Sequence, residues 1–140
     1  MNPASPQPVR VLIAEDNLIS RMVVAKMAET LGCLCTEVEN GQEAVDRCRE
    51  PGNEYDLVLL DIEMPVMDGT EAAKLMQAHF EASGLPRPRI VALTGETFEA
   101  NLERYRQTGF DACLGKPLKI EQLKALVASV RASVKESKHV

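Results

Sequence analysis

Polar side chains with chemical potential stand where apolar runs of this chain stop. Glu15 and Asp16 follow Val9–Ala14, and Asp61 follows Leu57–Leu60. Thr94 follows Ile90–Leu93, and Gly115-Lys116 follow Ala112–Leu114. Gathered in one pocket, Glu15, Asp16 and Asp61 would set three negative charges against the single positive charge of Lys116. A divalent cation that prefers oxygen would neutralise the excess, and Mg²⁺ suits a few carboxylates, waters and a phosphate. Mn²⁺ is the alternative ion. In such a pocket one carboxylate can attack phosphorus while the cation and Lys116 stabilise the equatorial oxygens, and Thr94 can donate its hydroxyl.

Each residue also has a plain structural explanation. Asp16 or Asn17 can cap a first helix, and Thr94 a later one. Asp68-Gly69 reads as a turn and a helix start, and Lys116-Pro117 as an exposed turn. Asp61 resists this treatment. It directly follows Leu57-Val58-Leu59-Leu60, and a carboxylate in so apolar a setting is costly unless something pairs with it.

The apolar runs that must position these groups are Val9–Ala14, Leu34–Val38, Leu57–Leu60, Ile90–Leu93 and Ala112–Leu114. The first, third and fourth are rich in Val, Ile and Leu and read as strands buried on both faces. The second, broken by Thr36 and Glu37, reads as an edge strand. Helical patterns lie between the runs. Ile19, Met22, Val23, Met27 and Leu31 mark the first, stopped by Gly32. Ala44, Val45 and Cys48 mark the second, ended by Pro51-Gly52. Ala72, Leu75, Met76 and Phe80 mark the third, ended by Gly84. Leu102, Tyr105 and Arg106 mark a fourth, ended by Gly109, and Ile120, Leu123, Leu126, Val127 and Val130 mark a fifth. Met22, Met27 and Met76 fit these stripes as core residues. Strand and helix alternating five times predict an α/β fold, a doubly wound parallel sheet with helices on both faces. All the strand ends then lie on one edge, where open α/β sheets place their ligands.

Length and composition narrow the function classes. At 140 residues the chain is about one domain long. The expected organisation is a tail over 1–8, a domain over 9–132 and a second tail over 133–140. A net charge of -5 argues against nucleic acid as a partner, because phosphate backbones attract basic surfaces. No apolar run approaches the length of about 20 residues that a membrane span needs. Met1–Pro8 lacks the apolar core of a signal peptide. Cys33, Cys35, Cys48 and Cys113 match no common zinc or redox spacing and read as reduced thiols of a cytoplasmic protein. His79 and His139 have no neighbours that suggest catalysis.

Taken in order, the motifs resemble the response-regulator receiver domains (CheY-like) of two-component and phosphorelay systems. The stretches are Val11-Leu12-Ile13-Ala14-Glu15-Asp16-Asn17, then Leu59-Leu60-Asp61-Ile62-Glu63-Met64-Pro65-Val66-Met67-Asp68-Gly69, then Ala92-Leu93-Thr94 and Gly115-Lys116-Pro117. The resemblance covers about Val9 to Ala132. It implies a flavodoxin-like five-stranded sheet of order 2-1-3-4-5 with five helices. It also implies that Asp61 is the phospho-acceptor, with Asp16, Asp61 and the Glu63 carbonyl as direct metal ligands and Glu15 a ligand through water. Thr94 would be the switch hydroxyl and Lys116 the phosphate-binding cation, with a cis bond to Pro117. The donor implied is a phosphohistidine on a histidine kinase or a histidine phosphotransfer protein. The chain would be a monomer or a weak phosphorylation-dependent dimer. Glu15-Asp16-Asn17-Leu18-Ile19-Ser20-Arg21 is similar to receivers attached to hybrid kinases.

The chain departs from that family in two places. An aromatic residue or histidine usually stands three positions before the lysine, where this chain has Cys113, a smaller flag for a switch. Gly95 replaces the more usual alanine. The second departure is Glu63 and Glu96, two residues after Asp61 and Thr94, in places that the family uses to tune the lifetime of the phosphate; as solvated loop residues they would do nothing. With no output domain in view, phosphorylation is expected to act through a changed surface around the fourth and fifth expected helices.

Three rival readings fit less well. A haloacid-dehalogenase-like phosphatase would want Asp-x-Asp where Asp61-Ile62-Glu63 stands. A nucleotide- or flavin-binding module would want a glycine-rich first loop in place of Glu15-Asp16-Asn17. A pseudo-receiver would lack part of the acceptor site, whose positions are all filled here.

Overall fold

The computed structural model describes residues 7–95, 103 and 107–137. The elements in chain order are β1 (Arg10–Ala14), α1 (Leu18–Thr30), β2 (Leu34–Val38), α2 (Gly41–Arg49), β3 (Leu57–Asp61), α3 (Gly69–Ser83), β4 (Arg89–Thr94), β5 (Ala112–Gly115) and α4 (Ile120–Ser137). The helix expected around Leu102, Tyr105 and Arg106 lies outside the described residues. So does Glu96. The last helix continues to Ser137, past the expected domain boundary at 132.

All strand pairs are parallel, and the order is β2-β1-β3-β4-β5. That is the order the resemblance implies, with β2 on an edge as its polar interruptions require. The alternation of side chains along each strand splits the core into two layers. Leu12, Ala14, Val58, Leu60, Ile90 and Ala92 face α2 and α3, where Ala44, Val45, Ala72, Ala73 and Met76 meet them. Val11, Ile13, Leu57, Leu59, Val91 and Leu93 face α1 and α4, where Val24, Ala25, Ala28, Leu123, Val127 and Val130 meet them. Every residue of β3 is buried. Burying each of its leucines stabilises the fold by roughly 1.5–3 kcal/mol, which anchors the strand that carries Asp61.

The face that α1 presents to the sheet differs from the expected one. Its buried residues are Arg21, Val24, Ala25 and Ala28, whereas Ile19, Met22 and Val23 are largely exposed. Met22 is therefore not a core residue. Met27 and Leu31 pack only partly against the core, and Met76 is fully buried as expected. The helix is apolar on more than one side, so hydrophobicity alone does not set its rotation. The small side chains of Ala25 and Ala28 permit close approach to the sheet, and that decides the phase.

Helix ends follow local chemistry. Asn17, Asn40 and Asp68 cap α1, α2 and α3 by accepting from the backbone N–H three residues on. Gly84 ends α3 at φ 71°, a left-handed conformation that glycine adopts without steric cost.

Candidate phosphoryl-transfer site

The carboxyl ends of β1, β3, β4 and β5 bring Glu15, Asp16, Asp61, Thr94 and Lys116 to one rim. Ladder contacts set their heights. Asp61 pairs with Leu93 and Thr94 with Gly115, and the Lys116 N–H donates to the Thr94 carbonyl at 2.8 Å. Lys116-Pro117 is a cis peptide bond, as the resemblance implies.

Asp61 is only 4% exposed. One of its oxygens, Oδ1, accepts the Glu63 N–H at 3.2 Å. The other, Oδ2, lies 2.8 Å from Lys116 Nζ. The same ammonium donates to Glu15 Oε2 at 2.7 Å. Glu15 is also buried, and its Oε1 accepts the Asn17 N–H at 3.3 Å. Asp16 is exposed at the mouth of the pocket. It is Asn17, and not Asp16, that caps α1, so the Asp16 carboxylate is left for the pocket. Ligand oxygens of Glu15, Asp16 and Asp61 all lie within 4.8 Å of one another. Three hard oxygen donors at that spacing fit a divalent ion such as Mg²⁺.

Charge and burial shift the pocket's ionisations. Burial raises the Glu15 carboxyl above its ordinary value; the bond from Lys116 lowers it again and nearby Asp61 raises it further. Partial burial works against the Lys116 ammonium, but its bonds to Asp61 and Glu15 together outweigh that, and its net shift is upward. Lys116 thus stays charged and holds two buried carboxylates together.

The loop after β3 is held against the strand it leaves. A Cβ on Gly69 would overlap the Asp61 carbonyl oxygen, so glycine is required where α3 begins. The Gly69 N–H donates to the Ile62 carbonyl at 2.9 Å. On the other side, the Gly41 N–H donates to the Met67 carbonyl at 3.0 Å, and a Cβ on Gly41 would overlap that oxygen. Gly41 was not singled out by sequence reasoning, because a close approach between loops distant in sequence leaves no local pattern.

The remaining expected residues are placed as follows. Thr94 is buried at the end of β4. Cys113 is half-buried and packs against the α2–α3 side of the core. Glu63 is exposed, and a Cβ added at Gly95 would meet none of the described residues. All four cysteines are free thiols. Burial pushes the Cys48 thiol up to about 12, which suits an inert core residue. His79 is half-buried and packs edge-on to Phe80.

Comparison with known proteins agrees with this geometry. The sequence profile of the response regulator receiver domain matches residues 11–128. The chain belongs to that family.

Receiver domains are signalling domains of two-component and phosphorelay systems. The two-component response regulator ORR41 of Oryza sativa subsp. japonica is 38% identical over 125 residues, covering 88% of this chain and 94% of that protein. Hybrid signal transduction histidine kinase L of Dictyostelium discoideum is 31% identical over 119 residues, covering 84% of this chain but 7% of that protein. The receiver thus spans nearly all of one relative and a small part of the other. Among solved structures, a co-crystal of the Saccharomyces cerevisiae histidine phosphotransfer protein Ypd1 with the receiver domain of Ssk1 gives a TM-score of 0.82 at 26% identity, covering 89% of this chain and 90% of that one. The receiver domain of sensor histidine kinase PA1611 from Pseudomonas aeruginosa PAO1, with a magnesium ion in its active-site cleft, gives 0.76 at 29% identity, covering 90% and 99%.

Proposed function

We propose that this receiver accepts a phosphoryl group from a phosphohistidine onto Asp61. The observation that carries the reading is the convergence of a buried Asp61 with Lys116 at 2.8 Å and with the Glu15 and Asp16 carboxylates. In the transfer a carboxylate oxygen of Asp61 bonds to phosphorus, the phosphorus–nitrogen bond breaks, and the imidazole leaves with that electron pair. Lys116 is placed to neutralise charge on the transferred group, and Thr94 stands across the same rim to receive one of its oxygens. Asp16, Asp61 and the Glu63 carbonyl would hold Mg²⁺ (or Mn²⁺) directly, and Glu15 through water. Bound there, the ion would supply positive charge to the phosphoryl oxygens.

In this reading the domain acts on no external substrate; it assists only its own phosphorylation and dephosphorylation. Glu63 and Glu96 tune the second of these. Thr94 and half-buried Cys113 form the switch, and the altered surface is the output. The donor is a histidine kinase or a histidine phosphotransfer protein. The exposed apolar residues Leu18, Ile19, Met22 and Val23 on α1, which starts beside Asp16, favour a helical donor surface there. No helix among the described residues is long and apolar enough to cross a membrane.

Intact-protein mass after incubation with acetyl phosphate and Mg²⁺ tests the proposal. The expected result is a gain of one phosphoryl group, lost in Asp61→Asn and abolished by a chelator. An equal gain in the Asp61→Asn variant would overturn the assignment of the acceptor.

A further inference from the structure

Glu15, Arg21, Asp61 and Thr94 are the buried polar side chains among the described residues. The phosphoryl site uses all of them except Arg21. The Arg21 side chain is only 10% exposed, and a charge so far removed from water must be repaid by specific bonds. Arg21 Nη1 donates to the Glu15 carbonyl oxygen at 2.9 Å. Its Nε lies 3.3 Å from Glu37 Oε1, and its Nη2 lies 3.9 Å from Glu39 Oε1. The guanidinium therefore ties the β1–α1 turn to the end of the edge strand.

The atom it grips matters. Strand β1 ends at Ala14 and α1 begins at Leu18. Glu15 and Asp16 thus lie in a turn that neither a ladder nor a helix fixes fully. The Glu15 N–H donates to the Val38 carbonyl at 3.2 Å, and Arg21 holds the carbonyl on the other side of the residue. That carbonyl belongs to the peptide joining Glu15 to Asp16. Fixing its plane fixes the Cα positions from which both carboxylates set out. Three like charges within 4.8 Å repel one another; Lys116 bridges Glu15 and Asp61, which leaves Asp16 to be held through the backbone.

We infer that Arg21 is a positioning residue for the acidic pair: by gripping the Glu15–Asp16 peptide it keeps both carboxylates converged on Asp61 while touching neither metal nor phosphate. The inference rests on reading the pocket as a divalent-cation and phosphoryl site.

The test is Mg²⁺ affinity, measured by calorimetry and by amide shifts of Glu15 and Asp16, under conditions where each variant is folded. Arg21→Met is expected to raise the Mg²⁺ dissociation constant by about 10-fold or more, the scale seen when a partner that orients a ligand is lost. Arg21→Lys keeps the charge but not the fork, and is expected to weaken binding several-fold. Glu37→Gln removes an ion pair and leaves the Glu15 bond, so its affinity is expected within about 2-fold of wild type. Wild-type affinity in folded Arg21→Met overturns the inference. If Arg21→Met fails to fold, Arg21→Lys and Glu37→Gln decide: equal effects of the two overturn it, and a selective loss in Arg21→Lys supports it. If the wild type takes up neither Mg²⁺ nor phosphoryl, the site reading itself falls, and the inference with it.

Discussion

Lys116 Nζ stands 2.7 Å from Glu15 Oε2 and 2.8 Å from Asp61 Oδ2, so one ammonium joins the acid after β1 to the acid at the end of β3. The two carboxylates are almost wholly buried, whereas the lysine side chain is 31% exposed. The bridge therefore serves the carboxylates more than the lysine, and it spans 101 residues of sequence.

Lys116→Met is expected to leave two buried carboxylates facing each other without a cation. In the absence of metal at pH 7 the loss of stability is expected to be about 1–3 kcal/mol, below the value for a fully buried pair because solvent reaches the lysine. Urea unfolding measures it. Added Mg²⁺ is expected to recover part of the loss.

Glu15→Gln in a chelator is expected to be more stable than wild type at pH 7. The Glu15 carboxyl is raised in the fold, first by burial, so the folded state binds its proton more tightly than the unfolded state does. A raised carboxyl destabilises the fold above its folded value and has no effect below the unfolded value of 4.5. The advantage of the Gln variant is therefore expected to shrink as pH falls toward 4.5, in urea titrations at a series of pH values. An advantage that grows toward low pH would refute the assignment.

Mg²⁺ is expected to stabilise the wild type by mass action, by about 2.7 kcal/mol at a concentration 100 times its dissociation constant. Asp16→Asn removes one of the three converging carboxylates, and the same Mg²⁺ concentration is expected to produce a much smaller rise in the urea midpoint.

Gly69→Ala is expected to destabilise by about 1–3 kcal/mol, because the added Cβ meets the Asp61 carbonyl oxygen, backbone that cannot swing away. Phosphorylation by acetyl phosphate is expected to slow as well, since the displaced strand end carries Asp61. Gly95→Ala, where a Cβ meets none of the described residues, is the control and is expected to be within about 0.5 kcal/mol of wild type.

The sequence by itself determined the strands, their parallel arrangement and the rim. Val11–Ala14, Leu57–Leu60 and Ile90–Leu93 are apolar on both alternating faces, and only a sheet covered by helices on both sides buries such runs. Once the strands are parallel, Asp16, Asp61, Thr94 and Lys116 share an edge whatever the details, because each is the last residue of its strand or lies within two residues of its end. Tertiary structure alone decided which face of α1 is buried, that Lys116 bridges two acids, and that Arg21 grips the Glu15 carbonyl. Hydrophobic periodicity cannot choose a rotation for a helix with apolar residues on several sides, and it exchanged exposed Met22 for buried Arg21. Close approaches such as Gly41 to Met67, or Lys116 to Glu15, join residues distant in the chain. They depend on sheet register and loop packing, and no local run of residues encodes them.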